Sequence, residues 1–80
     1  MITERLKTVF IESLGLPPDM DVTTLRYQAI AEWDSLSHLQ LVVGIEQAFG
    51  LMLETDDVID MNSFAKAAEI VAKYDAVITA

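Results

Sequence analysis

The stretch SLSHLQLVVGIEQAF, residues 35–49, constrains the fold most. Leu36, Leu39, Val42, Val43, Ile45 and Phe49 fall at helical spacing and predict a wide apolar face. Ser37, Gln40, Gly44 and Gln47 make the narrow polar one, and Gly50 is placed to end the helix. No segment alternates apolar and polar residues as a half-buried strand would, so the partners of this helix are expected to be helices too. In ITERLKTVFIESLG the apolar residues Ile2, Leu6, Val9, Phe10 and Leu14 predict a first helix from about residue 3 to about 14, stopped by Gly15. A last helix follows a cap at Asn62 or Ser63, with a core stripe of Phe64, Ala67, Ala68, Val71 and Tyr74 or Ile78.

Between these helices the chain must do something else. Pro17 and Pro18 forbid helix continuation, and residues 15–33 read as a long loop. Leu16, Val22, Leu25, Tyr27, Ile30 and Trp33 are enough apolar surface to hold it in order. After Gly50 the acidic Thr55-Asp56-Asp57 start predicts a short helical turn at about 56–61. The expected fold is therefore all-α: a small four-helix bundle of three main helices and a short third one, with a long loop between helices one and two. One domain over residues 1–80 is expected.

Charge narrows the function. Five Lys and Arg against thirteen Asp and Glu give a net charge of -8, which repels nucleic-acid phosphates and anionic lipid headgroups and suits basic protein patches. The runs LVVGI and LML are too short to span a bilayer, so no membrane insertion is expected. Glu4, Arg5, Lys7 and Glu12 interrupt the first fifteen residues, unlike a secretory signal, and the expected compartment is the cytoplasm. Without cysteine there is no disulfide, thiolate metal site or thiol nucleophile.

The stretch EWDSLSHL, residues 32–39, places Ser35 where the second helix opens. Asp34, Ser35 and His38 invite a nucleophilic triad reading, but no glycine-flanked elbow surrounds Ser35 and the chain is too short to build a separate oxyanion hole. His38 is expected to be a partly buried, hydrogen-bonded side chain. The acids of DMD and ETDDVID do not form a calcium loop. Counted from Asp19 the sixth and twelfth positions are Thr24 and Ile30, and counted from Asp56 they are Met61 and Ala67, where glycine and glutamate are needed. No metal site and no catalytic residue is expected; the acids read as a solvated, partner-facing surface. Two readings of Ser35 stay open. It is a plain cap, a role Asp34 could equally fill, or its hydroxyl carries a phosphate group favoured by the free N–H groups of the helix start.

Taken together, Asp34-Ser35-Leu36 opening a helix, then Leu39, Leu41, Ile45-Glu46, Phe49-Gly50, Leu53, the acids Asp56 and Asp57, and a last helix opened at Ser63, resemble the acyl carrier protein family of phosphopantetheine-binding domains. The resemblance covers essentially the whole chain. It implies that Ser35 is the attachment point of 4′-phosphopantetheine, transferred from coenzyme A by a phosphopantetheinyl transferase that uses magnesium. It implies further that Asp34 helps that transferase and its metal engage, and that the chain carries an acyl thioester between acyl-loading and acyl-transfer enzymes with basic patches while catalysing nothing itself. Leu36, Ser37, Gln40, Leu41, Asp56 and Asp57 are the expected partner-binding residues, although Leu36 could equally be a core contact. Leu39, Val43, Ile59, Phe64 and Ala68 are the expected lining of any acyl shelter, or else a closed core.

Carriers of general fatty-acid synthesis resemble one another in an acidic second helix, whereas here the matching positions hold Ser37, Gln40, Gln47 and Ala48, with Glu46 the one acid. Trp33 before the motif is a second departure, packing the loop or flanking the arm. These differences imply a specialised, stand-alone, monomeric carrier for a modified lipid, a glycan or a secondary metabolite. The alternatives are an aminoacyl or peptidyl carrier, and an unmodified helical interaction module.

Overall fold

The computed structural model describes the backbone of residues 2–79 and the side chains of residues 3–74. Among the described residues the fold is all-helical: α1 (Ile2–Leu14), α2 (Ser35–Phe49), α3 (Thr55–Asp60) and α4 (Phe64–Thr79). The side chains of Ile2 and Ile78, assigned above to the first and last helical stripes, lie outside the described residues. The helix spacing of α1 places Leu6, Val9, Phe10 and Leu14 in the core, where α1 packs on both α2 and α4. Phe10 is the meeting point, with its ring edge-on to Trp33 at 5.2 Å and to Phe64 at 5.0 Å between centroids.

Two chain-reversing pairs, Gly15-Leu16 and Gly50-Leu51, end α1 and α2 in the same way. Each glycine takes a left-handed φ, 67° and 64°, which a side chain would oppose. The next residue then donates its N–H back to the last turn, Leu16 to Ile11 O and Leu51 to Glu46 O, and buries its side chain.

The long loop is ordered, as its apolar content predicts. Leu16, Val22, Leu25 and Trp33 are buried, and Tyr27 and Ile30 are half-buried against the same core. Its backbone zips to the connector before α4: Phe64 N donates to Leu25 O and Tyr27 N to Asn62 O, making an isolated antiparallel bridge between Arg26 and Ser63. The cap of α4 is resolved as Ser63, whose hydroxyl accepts from Lys66 N at 3.0 Å. Among the described residues of α4, Phe64, Ala67, Ile70 and Val71 are buried, with Ala68 and Tyr74 half-buried, so Ile70 joins the expected stripe.

The apolar face of α2 needs correction. Leu41, Val42 and Ile45 are the buried residues, and Leu41 has no exposed surface. Leu36, Leu39 and Val43 instead stand 68%, 58% and 49% exposed. The reason is that α2 is apolar almost all round, so its spacing shows a helix without saying which side is covered. Gly44, placed above on the polar side, settles the matter: a Cβ there would meet Ser13 Oγ at 2.5 Å and Val9 Cγ1 at 3.2 Å. The missing side chain lets α1 close on that side of α2.

The short third helix begins one residue earlier than predicted and buries no residue. It is held by polar pins. Tyr74 donates its hydroxyl to Asp57 Oδ2 and accepts from Glu54 N at 2.8 Å, Lys73 Nζ lies 2.8 Å from Asp57 Oδ1, and Glu46 Oε2 accepts from Leu53 N at 2.9 Å.

Gly44→Val tests the α1–α2 approach. Overpacking that contact should destabilise the protein by about 1–3 kcal/mol, read as a lower urea midpoint with an unchanged slope.

Candidate functional site

The start of α2 is built from Trp33, whose burial against Phe10 fixes where the helix begins. Asp34 follows in extended conformation, and its Oδ1 accepts from Ser37 N at 2.9 Å. Asp34 is thus the cap, which settles one of the two openings left by the sequence: Ser35 does not cap this helix. The Ser37 N–H donating to the carboxylate, helped by neighbouring N–H groups, holds the Asp34 carboxyl below the usual aspartate range. Ser35 is exposed at the first helical position, and its hydroxyl shares a 2.9 Å hydrogen bond with the Tyr27 hydroxyl.

His38 is half-buried and hydrogen-bonded, as expected. Trp33 Nε1 donates to His38 Nδ1 at 3.0 Å. With Nδ1 accepting, the ring proton sits on Nε2 and donates to Val58 O at 2.9 Å. Both nitrogens are therefore committed, to the loop on one side and to α3 on the other. No Asp34–Ser35–His38 relay exists, because each member is bonded elsewhere.

The remaining expected residues divide. Leu36 and Gln40 are exposed at the start of α2, Ser37 is half-buried beside them, and Asp56 is exposed on α3. Leu36 is consequently no core contact. Leu41 is removed from the surface set, since it is enclosed between α2 and the core. Asp57 is also removed from the solvated set: Lys73 and Tyr74 both bond its carboxylate, hold it below the usual aspartate range, and turn it toward α4. The five residues expected to line an acyl shelter do not converge. Leu39, Val43 and Ile59 are exposed, the last by 72%, while Phe64 is closed against Phe10 and Ala68 is half-buried.

Sequence reasoning missed the Tyr27–Ser35 contact and the His38–Val58 link. No local signal announces either one, because both depend on where the loop and α3 come to rest. A weaker clue existed for Tyr74, a phenol on an apolar stripe, which needs a polar partner when half-buried.

The fold and the helix-opening serine define a small all-α domain with a hydroxyl displayed at the end of an ordered loop. No family model matches the chain. The chain is similar to the acyl carrier protein of Zymomonas mobilis subsp. mobilis, 29% identical over 73 residues, covering 91% of this chain and 94% of that protein. The similarity runs over nearly the whole length of both proteins. No helix among the described residues is long and apolar enough to cross a membrane.

Asp34 and Asp57 carry a pH signature. Both carboxyls are lowered in the folded protein, so the stability they contribute is complete above the ordinary aspartate range and is lost as pH falls through their folded values. Urea midpoints measured from neutral pH downward should fall through that range. Asp57→Asn should start lower and show a flatter acid limb.

Proposed function

We propose that this chain is a specialised cytoplasmic acyl carrier, with the acyl group held as a thioester on 4′-phosphopantetheine attached to Ser35. The observation that carries the reading is the division of labour at the start of α2: Asp34 caps the helix, which leaves the exposed Ser35 hydroxyl free of that duty. The residues present fit a covalent arm. Ser35 Oγ forms the new bond to phosphorus of coenzyme A, the bond to 3′,5′-ADP breaks, and the hydroxyl proton passes to a base on the phosphopantetheinyl transferase. Asp34, exposed and held ionised beside Ser35, presents negative charge to that enzyme and its magnesium. Once attached, 4′-phosphopantetheine supplies the thiol that the cysteine-free chain lacks.

Partner enzymes meet Leu36, Ser37 and Gln40 beside the arm, with Asp56 and Asp60 on the exposed side of α3. The second helix contributes little charge to this encounter, because its one acid, Glu46, is engaged with Leu53 N. Charge on the rim chiefly sets encounter rate and partner choice, which supports a dedicated lipid, glycan or secondary-metabolite pathway over the general one. The carrier acts as a monomer that forms transient complexes.

Incubation with coenzyme A and a broad-specificity phosphopantetheinyl transferase should add the mass of the arm to wild type and not to Ser35→Ala. An unmodified wild type, beside a positive-control carrier that is modified, would sink the reading. Association with a basic partner enzyme should weaken as salt rises, given the net charge of -8. Titration calorimetry at two ionic strengths reads this directly, and salt-independent affinity would instead assign the contact to Leu36 and its apolar neighbours.

A further inference from the structure

Tyr27 reaches the start of α2 from outside that helix, and its hydroxyl lies 2.9 Å from Ser35 Oγ. Its position is held from several directions. Tyr27 N donates to Asn62 O at 2.9 Å, and Gln28, in a left-handed conformation with φ 65°, donates its N–H to Trp33 O at 3.0 Å. The phenol ring stands edge-on to Trp33 at 6.0 Å and tilted against His38 at 5.2 Å. Loop, buried indole and imidazole thus aim one hydroxyl at the exposed serine. A half-buried tyrosine ring needs its oxygen to reach a polar partner, but solvent would satisfy that need equally well. Burial alone therefore does not account for the choice of Ser35 as partner.

We infer, resting on the carrier reading above, that Tyr27 is a positioning residue for the modified serine. A phenol is a stronger hydrogen-bond donor than an aliphatic alcohol, so Tyr27 donates to Ser35 Oγ. That bond uses one lone pair of Oγ, holds the serine in a single rotamer, and leaves its own O–H and second lone pair directed to solvent. The transferase then meets an oriented nucleophile. After modification the non-bridging oxygens of the phosphodiester lie two bonds from Oγ, within the swing of the same hydroxyl. A charged acceptor makes the stronger bond, so Tyr27 donates to the phosphodiester and sets the direction in which the arm leaves the protein. The ordered loop, through Tyr27, orients the arm as much as α2 does.

Tyr27→Phe removes the hydroxyl and keeps the ring contacts to Trp33 and His38. With coenzyme A and the broad-specificity transferase, kcat for Tyr27→Phe should fall about two- to tenfold, the range one net hydrogen bond supplies, with KM and Tm unchanged. In the modified wild type the 31P resonance should be displaced from its position in urea-unfolded protein, and Tyr27→Phe should return it most of the way. A change confined to KM or Tm would make Tyr27 a structural residue and overturn the inference. So would equal kcat with identical 31P positions, or a folded wild-type resonance that matches the unfolded one, a measurement that needs no variant. Each of these outcomes leaves the carrier reading standing. That reading fails only if wild type itself is not modified, in which case the inference falls with it.

Discussion

Trp33 lies edge-on to Phe10 with no exposed surface, and Asp34 and Ser35 follow it directly in the chain. Burying so large a ring fixes the end of the loop relative to α1, and with it the residue at which α2 can begin. The indole N–H cannot be left unpaired in that position, and it is satisfied by His38 Nδ1 one turn into α2. Loop closure, helix start and imidazole orientation are thus consequences of one buried side chain. The alternative role for Trp33, flanking an attached arm, is incompatible with its complete burial.

A second dependence runs from that imidazole to α3. This helix has six residues and buries none of them, too little apolar contact to hold it in place. His38 Nε2 donating to Val58 O ties it to α2, and Tyr74 with Lys73 ties Asp57 to α4. Hydrogen bonds, with modest net strength, position the element that forms one side of the proposed partner face. Such an element opens at lower free energy than the core does.

The exposed side of α2 shows how composition and position diverge. Leu36, Leu39 and Val43 stand in solvent while Leu41 and Ile45 are enclosed, although all five are equally apolar. In the same way the acids are not interchangeable. Asp34 caps a helix, Glu46 holds the backbone at Leu53, and Asp57 anchors a tyrosine, while Asp56 and Asp60 on α3 stand exposed among other acids. Part of a net charge of -8 is therefore internal architecture, and the long-range negative field is carried by the remainder.

Much of this was legible in the residues alone. Spacing and punctuation placed α1, α2 and α4 to within about two residues, because Gly15, Pro17, Pro18, Gly50 and Ser63 act locally, through φ, a missing N–H or a nearby hydroxyl. The chain also determined that the loop would be ordered and that Asp34-Ser35-Leu36 would open a helix. Tertiary structure alone decided which side of α2 is covered, that Leu41 and Asp57 are withdrawn from the surface, and that Tyr27 meets Ser35. The physical reason is range. Helix spacing and caps are settled within four residues, whereas Gly44 against Ser13, His38 against Val58 and Tyr27 against Ser35 depend on how separate segments pack.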